Sequence, residues 1–194
     1  MPEKDCYQGE TFAGFDPGPS LKDTEYQDCV FKACRWQGVH LENCSFLGCT
    51  FDHCQFSDIH FTFCKMRDAW LEGCAFRGIG WGALQGRGGL GQPIGKAINC
   101  SFRYNQFVGM ALGGFDFSRN QFSECLFDDC KLAEADFNGA GLGRTAFTRC
   151  DLQNADFRAA QEYLIDPNQN KLKGARFSFP DVVTLLDGLG LRIE

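Results

Sequence analysis

Residues 100–157 read CSFRYNQFVGMALGGFDFSRNQFSECLFDDCKLAEADFNGAGLGRTAFTRCDLQNADF. Every fifth residue from Phe102 is large and apolar: Phe107, Leu112, Phe117, Phe122, Phe127, Leu132, Phe137, Leu142, Phe147, Leu152 and Phe157 follow without exception. The same step runs through an earlier block: Leu21, Tyr26, Phe31, Trp36, Leu41, Phe46, Phe51, Phe56, Phe61, Met66, Leu71 and Phe76. In a chain that is 44% apolar, chance yields such a run roughly once in 10⁸ to 10⁹ trials, so the period belongs to the fold. A second position, two residues before each of these, is mostly small. Eleven of the twelve cysteines stand there, Cys6 alone excepted.

A period of five fits neither regular element. On a helix, positions five apart point about 140° away from each other. On a strand they point to opposite faces. What remains is an all-β solenoid in which each pentad forms one short wall segment and then turns. One large and one small side chain point inward, and three polar ones face water.

The pattern breaks in three places. Tyr7 and Phe12 stand one residue out of phase with the first block, beyond AGFDPGP, and residues 1–20 are expected to cap the first coil. Residues 21–81 form a first repeat block. Phe102 follows Phe76 by 26 positions, one more than five pentads, so the phase slips. The slip falls in GIGWGALQGRGGLGQPIGKAIN, which holds eight Gly, one Pro, Arg87 and Lys96. Residues 82–99 are therefore read as a bulge between blocks or as a projecting contact loop presenting Arg87 and Lys96. No phosphate-binding G-x-x-x-x-G-K-[ST] motif occurs in it. Residues 100–177 form the second block. In residues 178–194, Ser178, Pro180 and Asp181 read as the start of a short α-helix. Val182, Leu185, Leu186 and Leu189 follow helical spacing along it, and LRIE is a candidate strand. This apolar face either plugs the last coil or also pairs with a second copy.

Composition narrows the function. The formal net charge of −6 opposes direct nucleic-acid binding, which needs a basic stripe, and suits either a merely soluble surface or one that meets a basic partner. No apolar run approaches the roughly 20 residues that cross a bilayer, and MPEKDCYQGE lacks a signal-peptide pattern. A cytoplasmic protein with reduced thiols is expected. The cysteines form no C-x-x-C, and Cys44, Cys49 and Cys54 fall on successive walls. That spacing favours small buried residues over metal or disulfide chemistry. His40, His53 and His60 all occupy outward positions. No catalytic constellation, metal site or cofactor site is evident, so an enzyme is not expected.

Positions 20 apart share one wall if a coil holds four pentads. Asp116, Asp136 and Asp156 are so spaced and each precedes a Phe, which makes a carboxylate row at roughly 5 Å intervals. Each Asp can cap its local turn through backbone hydrogen bonds. The row can also imitate the phosphates of a nucleic-acid duplex. Arg144 and Arg149 stand opposite Glu124 and Asp129, so the surface is not uniformly acidic.

ADFNGAGLGRTAFTRCDLQNADFRAA and CSFLGCTFDHCQF resemble pentapeptide-repeat proteins, whose pattern is small, Asp or Asn, Leu or Phe, then two variable residues. The resemblance implies a right-handed quadrilateral β-helix of 20 residues per coil. AQEYLIDPNQNKLKGARFSFPDVVTLLDGLGLRIE and CKMRDAWLEGCAFRGIGW further resemble the Qnr/MfpA group, with its AlbG and McbG types. That resemblance spans nearly the whole chain. It implies a homodimer joined through the C-terminal helices, with DNA gyrase as partner and topoisomerase IV as a second candidate. It also implies protection of these enzymes from quinolones or natural-product poisons, in part by DNA mimicry. The other reading of the same repeats is a scaffold for an unrelated protein partner.

Overall fold

The computed structural model describes residues 6–84 and 92–189, the last three by backbone alone. The chain is an all-β solenoid made of two compact units, residues 1–101 and 102–194.

In the first unit, every wall is a stack of parallel three- to five-residue strands. One wall stacks Cys6–Gln8, Glu25–Gln27, Ser45–Leu47 and Lys65–Arg67. A second stacks Thr11–Ala13, Val30–Lys32, Thr50–Asp52, Ala69–Glu72 and Ile94–Ile98. Arg35–Gln37, Gln55–Ser57 and Ala75–Arg77 form a third, and Ser20–Lys22, His40–Glu42 and His60–Thr62 a fourth. The register is 20 residues: Phe31 pairs with Phe51, and Phe51 with Leu71. Tyr7 and Phe12, the residues expected in a cap, stand in strands and pair with Tyr26 and Phe31, one residue short of the full step.

The second unit repeats the plan with lighter walls. Gln106–Val108, Leu126–Asp128, Ala146–Thr148 and Leu164–Ile165 form one continuous sheet. Two other walls are held mainly by single bridges, Ala111 to Lys131 to Asp151 to Lys171 and Asp116 to Asp136 to Asp156.

A coil spacing near 4.8 Å suits the stacking of aromatic rings. Phe117, Phe137, Phe157 and Phe177 stack in sequence with centroids 4.8, 4.9 and 5.2 Å apart. Within a coil the rings meet edge to face, Phe137 on Phe147 at 86° and Phe147 on Phe157 at 89°. Each ring thus touches its neighbours in the two geometries that the aromatic quadrupole favours. All the five-step residues are buried except Phe61 and Met66, which are half-buried. Within the first unit their walls end at His60–Thr62 and Lys65–Arg67, and the short 3₁₀ helix Trp81–Leu84 packs against both strands.

The corners explain the small position. A buried cysteine donates its thiol to the carbonyl two residues back and to one on the coil below: Cys74 Sγ lies 3.3 Å from Glu72 O and 3.2 Å from Phe51 O. Cys54, Cys64, Cys125, Cys130 and Cys150 repeat that pair of bonds. Where another residue replaces cysteine it serves the same carbonyls. Thr24 Oγ1 donates to Lys22 O at 2.7 Å, and Asn170 Nδ2 donates to Phe147 O at 2.9 Å. Two residues after nearly every large apolar residue of the five-step series the backbone turns with positive φ, as at Asp23, Asp28, Asn43 and His53, Arg119 excepted. That conformation favours Gly, Asn and Asp, which is why the outward positions are rich in them.

The C-terminal helix forms over Asp181–Leu189, but as a 3₁₀ helix rather than the expected α-helix. Val183 N bonds Pro180 O at 3.0 Å, and the Thr184 hydroxyl takes up Asp181 O at 2.8 Å. A hydroxyl competing for a helical carbonyl opposes regular α winding. Among the described residues no helix is long and apolar enough to cross a membrane.

Candidate functional site: the outer walls

The carboxylate row exists as a stack, since Asp116 bridges to Asp136 and Asp136 to Asp156. Each Asp also caps its own turn. Asp116 Oδ1 accepts from Ser118 N at 2.9 Å, Asp136 Oδ1 from Asn138 N at 2.8 Å, and Asp156 Oδ1 from Arg158 N at 3.1 Å. The three differ in what they show to solvent. Asp116 is exposed, Asp136 half-buried, and Asp156 only 4% exposed. Arg158 grips the Asp156 carboxylate through Nε and a terminal nitrogen, and Arg176 adds a contact of 3.1 Å from the next coil. The Arg158 hydrogen bond, with both guanidinium charges, holds the Asp156 carboxyl below the usual carboxylate range. The row is therefore solvent-facing at Asp116, half-buried at Asp136 and paired with two guanidinium groups at Asp156.

Neighbouring walls alternate in sign. Lys131, Asp151 and Lys171 stack one above another, with Lys171 Nζ 3.9 Å from Asp151. Arg149 pairs with Asp128 rather than with Asp129. Opposite charges on adjacent strands are mutually favourable, whereas like charges are not. The Asp116–Asp136 step is thus a place where the fold holds like charges close together.

Lys96 stands on a wall, in the strand Ile94–Ile98, rather than in a projecting loop. Its Nζ lies 4.7 Å above the ring of Trp70, an outward residue that is 44% exposed. Trp70 pairs with Lys96, so this coil holds 26 residues instead of 20. Arg87 lies outside the described residues. Val182, Leu185 and Leu186 are half-exposed on the C-terminal helix, and the side chain of Leu189 is outside the described set.

All twelve cysteines are free, and every one but Cys6 is buried. Burial pushes the Cys49 thiol up to about 12 and raises that of Cys125, away from the reactive thiolate. Among the described residues no group of three or more His, Cys, Asp or Glu is assembled to hold a metal.

The sequence reading missed one pair on the first unit. His40 and His60 sit in register on adjacent strands with their rings 5.9 Å apart and inclined by 30°. Their 20-residue separation was the available signal, the same one that marked the aspartates.

Family models described as pentapeptide repeats match residues 17–75 and 121–160, together just over half of the chain. A search of curated proteins finds no match. Among solved structures, a trypsin-treated variant of QnrB1, a plasmid-mediated fluoroquinolone resistance protein, is 15% identical. It aligns over 97% of both chains with a TM-score of 0.49. HetL from Nostoc sp. strain PCC 7120, a pentapeptide-repeat protein involved in heterocyst differentiation regulation, is 13% identical. It aligns over 88% of this chain and 82% of its own, with a TM-score of 0.44.

Proposed function

The chain belongs to the pentapeptide-repeat family, and from that premise we propose that it is a non-enzymatic protein that binds DNA gyrase, with topoisomerase IV as a second target. In this reading it shields the enzyme from quinolones or natural-product poisons, partly by occupying a DNA-binding surface. The observation that carries the proposal is the Asp116–Asp136 step, two carboxylates held one coil apart on the outer wall. A net charge of −6 supports approach to a basic surface, because complementary fields speed encounter and reject wrong partners. The C-terminal resemblance to the Qnr/MfpA group supplies the partner's identity.

Half-exposed Val182, Leu185 and Leu186 support the accompanying proposal of a homodimer. Pairing would cover an apolar face and double the negative charge presented to the partner.

The purified protein is added to gyrase supercoiling reactions and to ciprofloxacin-stimulated cleavage reactions. Binding lowers drug-induced cleavage, and Asp136→Lys weakens the effect. No effect on either reaction at micromolar protein refutes the proposal. A scaffold role toward another partner is favoured by one observation: Arg158 and Arg176 cancel the third carboxylate, which shortens the phosphate-like row. In that case both gyrase reactions stay unchanged while a different basic protein is retained on the immobilised chain.

A further inference from the structure

We propose that His40 and His60 form a two-imidazole binding site for a borderline divalent cation, namely zinc, nickel or copper(II). The register places them as direct partners on the parallel strands His40–Glu42 and His60–Thr62. Both side chains are exposed, and their rings lie face to face 5.9 Å apart. His40 Nε2 lies 3.2 Å from Thr62 Oγ1, so one ring nitrogen of His40 already points toward the coil that carries His60. A small rotation about each side chain brings two nitrogen lone pairs onto one cation. Thr62 then gives up its hydrogen bond to water.

The chemistry of the donors selects the cation. Neutral imidazole suits zinc, nickel and copper, whereas calcium and magnesium prefer all-oxygen sites. Strand His40–Glu42 is paired on both sides and His60–Thr62 pairs directly with it, which holds the two rings on a shared wall and limits the ordering cost of binding. Glu42 stands on the same face, two residues from His40 and in register with Thr62. Lys22 holds its carboxylate through an ion pair, so water completes the coordination and Glu42 joins only when Lys22 releases it. The bound ion would tie two coils of the first unit together. Both histidines belong to the first unit, whereas the aspartate row belongs to the second.

The test is calorimetric titration of the tag-free, reduced, full-length chain with nickel chloride. One equivalent of binding is expected. His40→Ala and His60→Ala each weaken it at least about tenfold, and His53→Ala leaves it unchanged. Circular dichroism of each variant checks that these exposed substitutions preserve the fold. Absence of binding, binding unaffected by either His40→Ala or His60→Ala, or binding abolished by His53→Ala or by blocking Cys6 with iodoacetamide, overturns the site.

Discussion

Arg176 reaches the carboxylate of Asp156 across one coil, nitrogen to oxygen at 3.1 Å, while Arg158 holds the same carboxylate from within the turn. The buried acid is thereby joined to the segment that leads into the C-terminal helix. Its carboxyl is held below the ordinary value by these guanidinium groups. The stabilisation is fully present above the unfolded pKa of about 3.9 and fades as pH falls through the lower folded value. Asp156→Asn is expected to cost about 1–3 kcal/mol at pH 7. The difference from the unmodified chain should shrink below pH 4, as followed by urea unfolding across a pH series.

The corner glycines give a second outcome. Gly73 turns with φ of +59°, and a Cβ there would stand 2.9 Å from Nε2 of the His53 ring. Gly73→Ala combines a left-handed alanine with that clash and is expected to cost roughly 1–2 kcal/mol. In the His53→Ala background the clash is gone and only the backbone strain persists. A double-mutant cycle by thermal unfolding separates the two.

Thiol accessibility is a third. Cys6 is exposed and the other eleven cysteines are buried. Native protein should react rapidly with one equivalent of Ellman's reagent, and with twelve only in denaturant. Several fast native equivalents would contradict the inward placement of the small position.

Oligomeric state is a fourth. Leu185→Asp puts a charge on the half-exposed face of the C-terminal helix. Light scattering is expected to show a dimer for the unmodified chain and a monomer for the variant, with unchanged circular dichroism. A monomeric unmodified chain would remove the proposed pairing.

Much of the architecture was legible because one rule governs many residues. Phe117, Phe127 and Phe137 face inward as their spacing requires, and Asp116 and Asp136 stack as positions one coil apart must. Less legible was whatever depends on contacts between side chains. Nothing in the spacing of Asp156 says that Arg158 and Arg176 will cover it, because two long flexible side chains converge there from different coils. Lys96 looked like part of a loop because its neighbours are glycines; its pairing with Trp70 depends on where the surplus residues leave the wall. The His40–His60 pair obeys the same 20-residue rule as the aspartates but was read only one residue at a time.

The coil from Trp70 to Lys96 carries six residues more than its neighbours and still returns to the wall in pairing register. Extra chain can therefore enter a coil while the wall resumes its parallel pairing beyond it. Whole coils of 20 residues lengthen such a protein in units, and corner insertions decorate it. Reach and recognition can then diversify independently, and an engineer could graft a new recognition segment into this coil, where the wall already resumes its pairing after surplus chain.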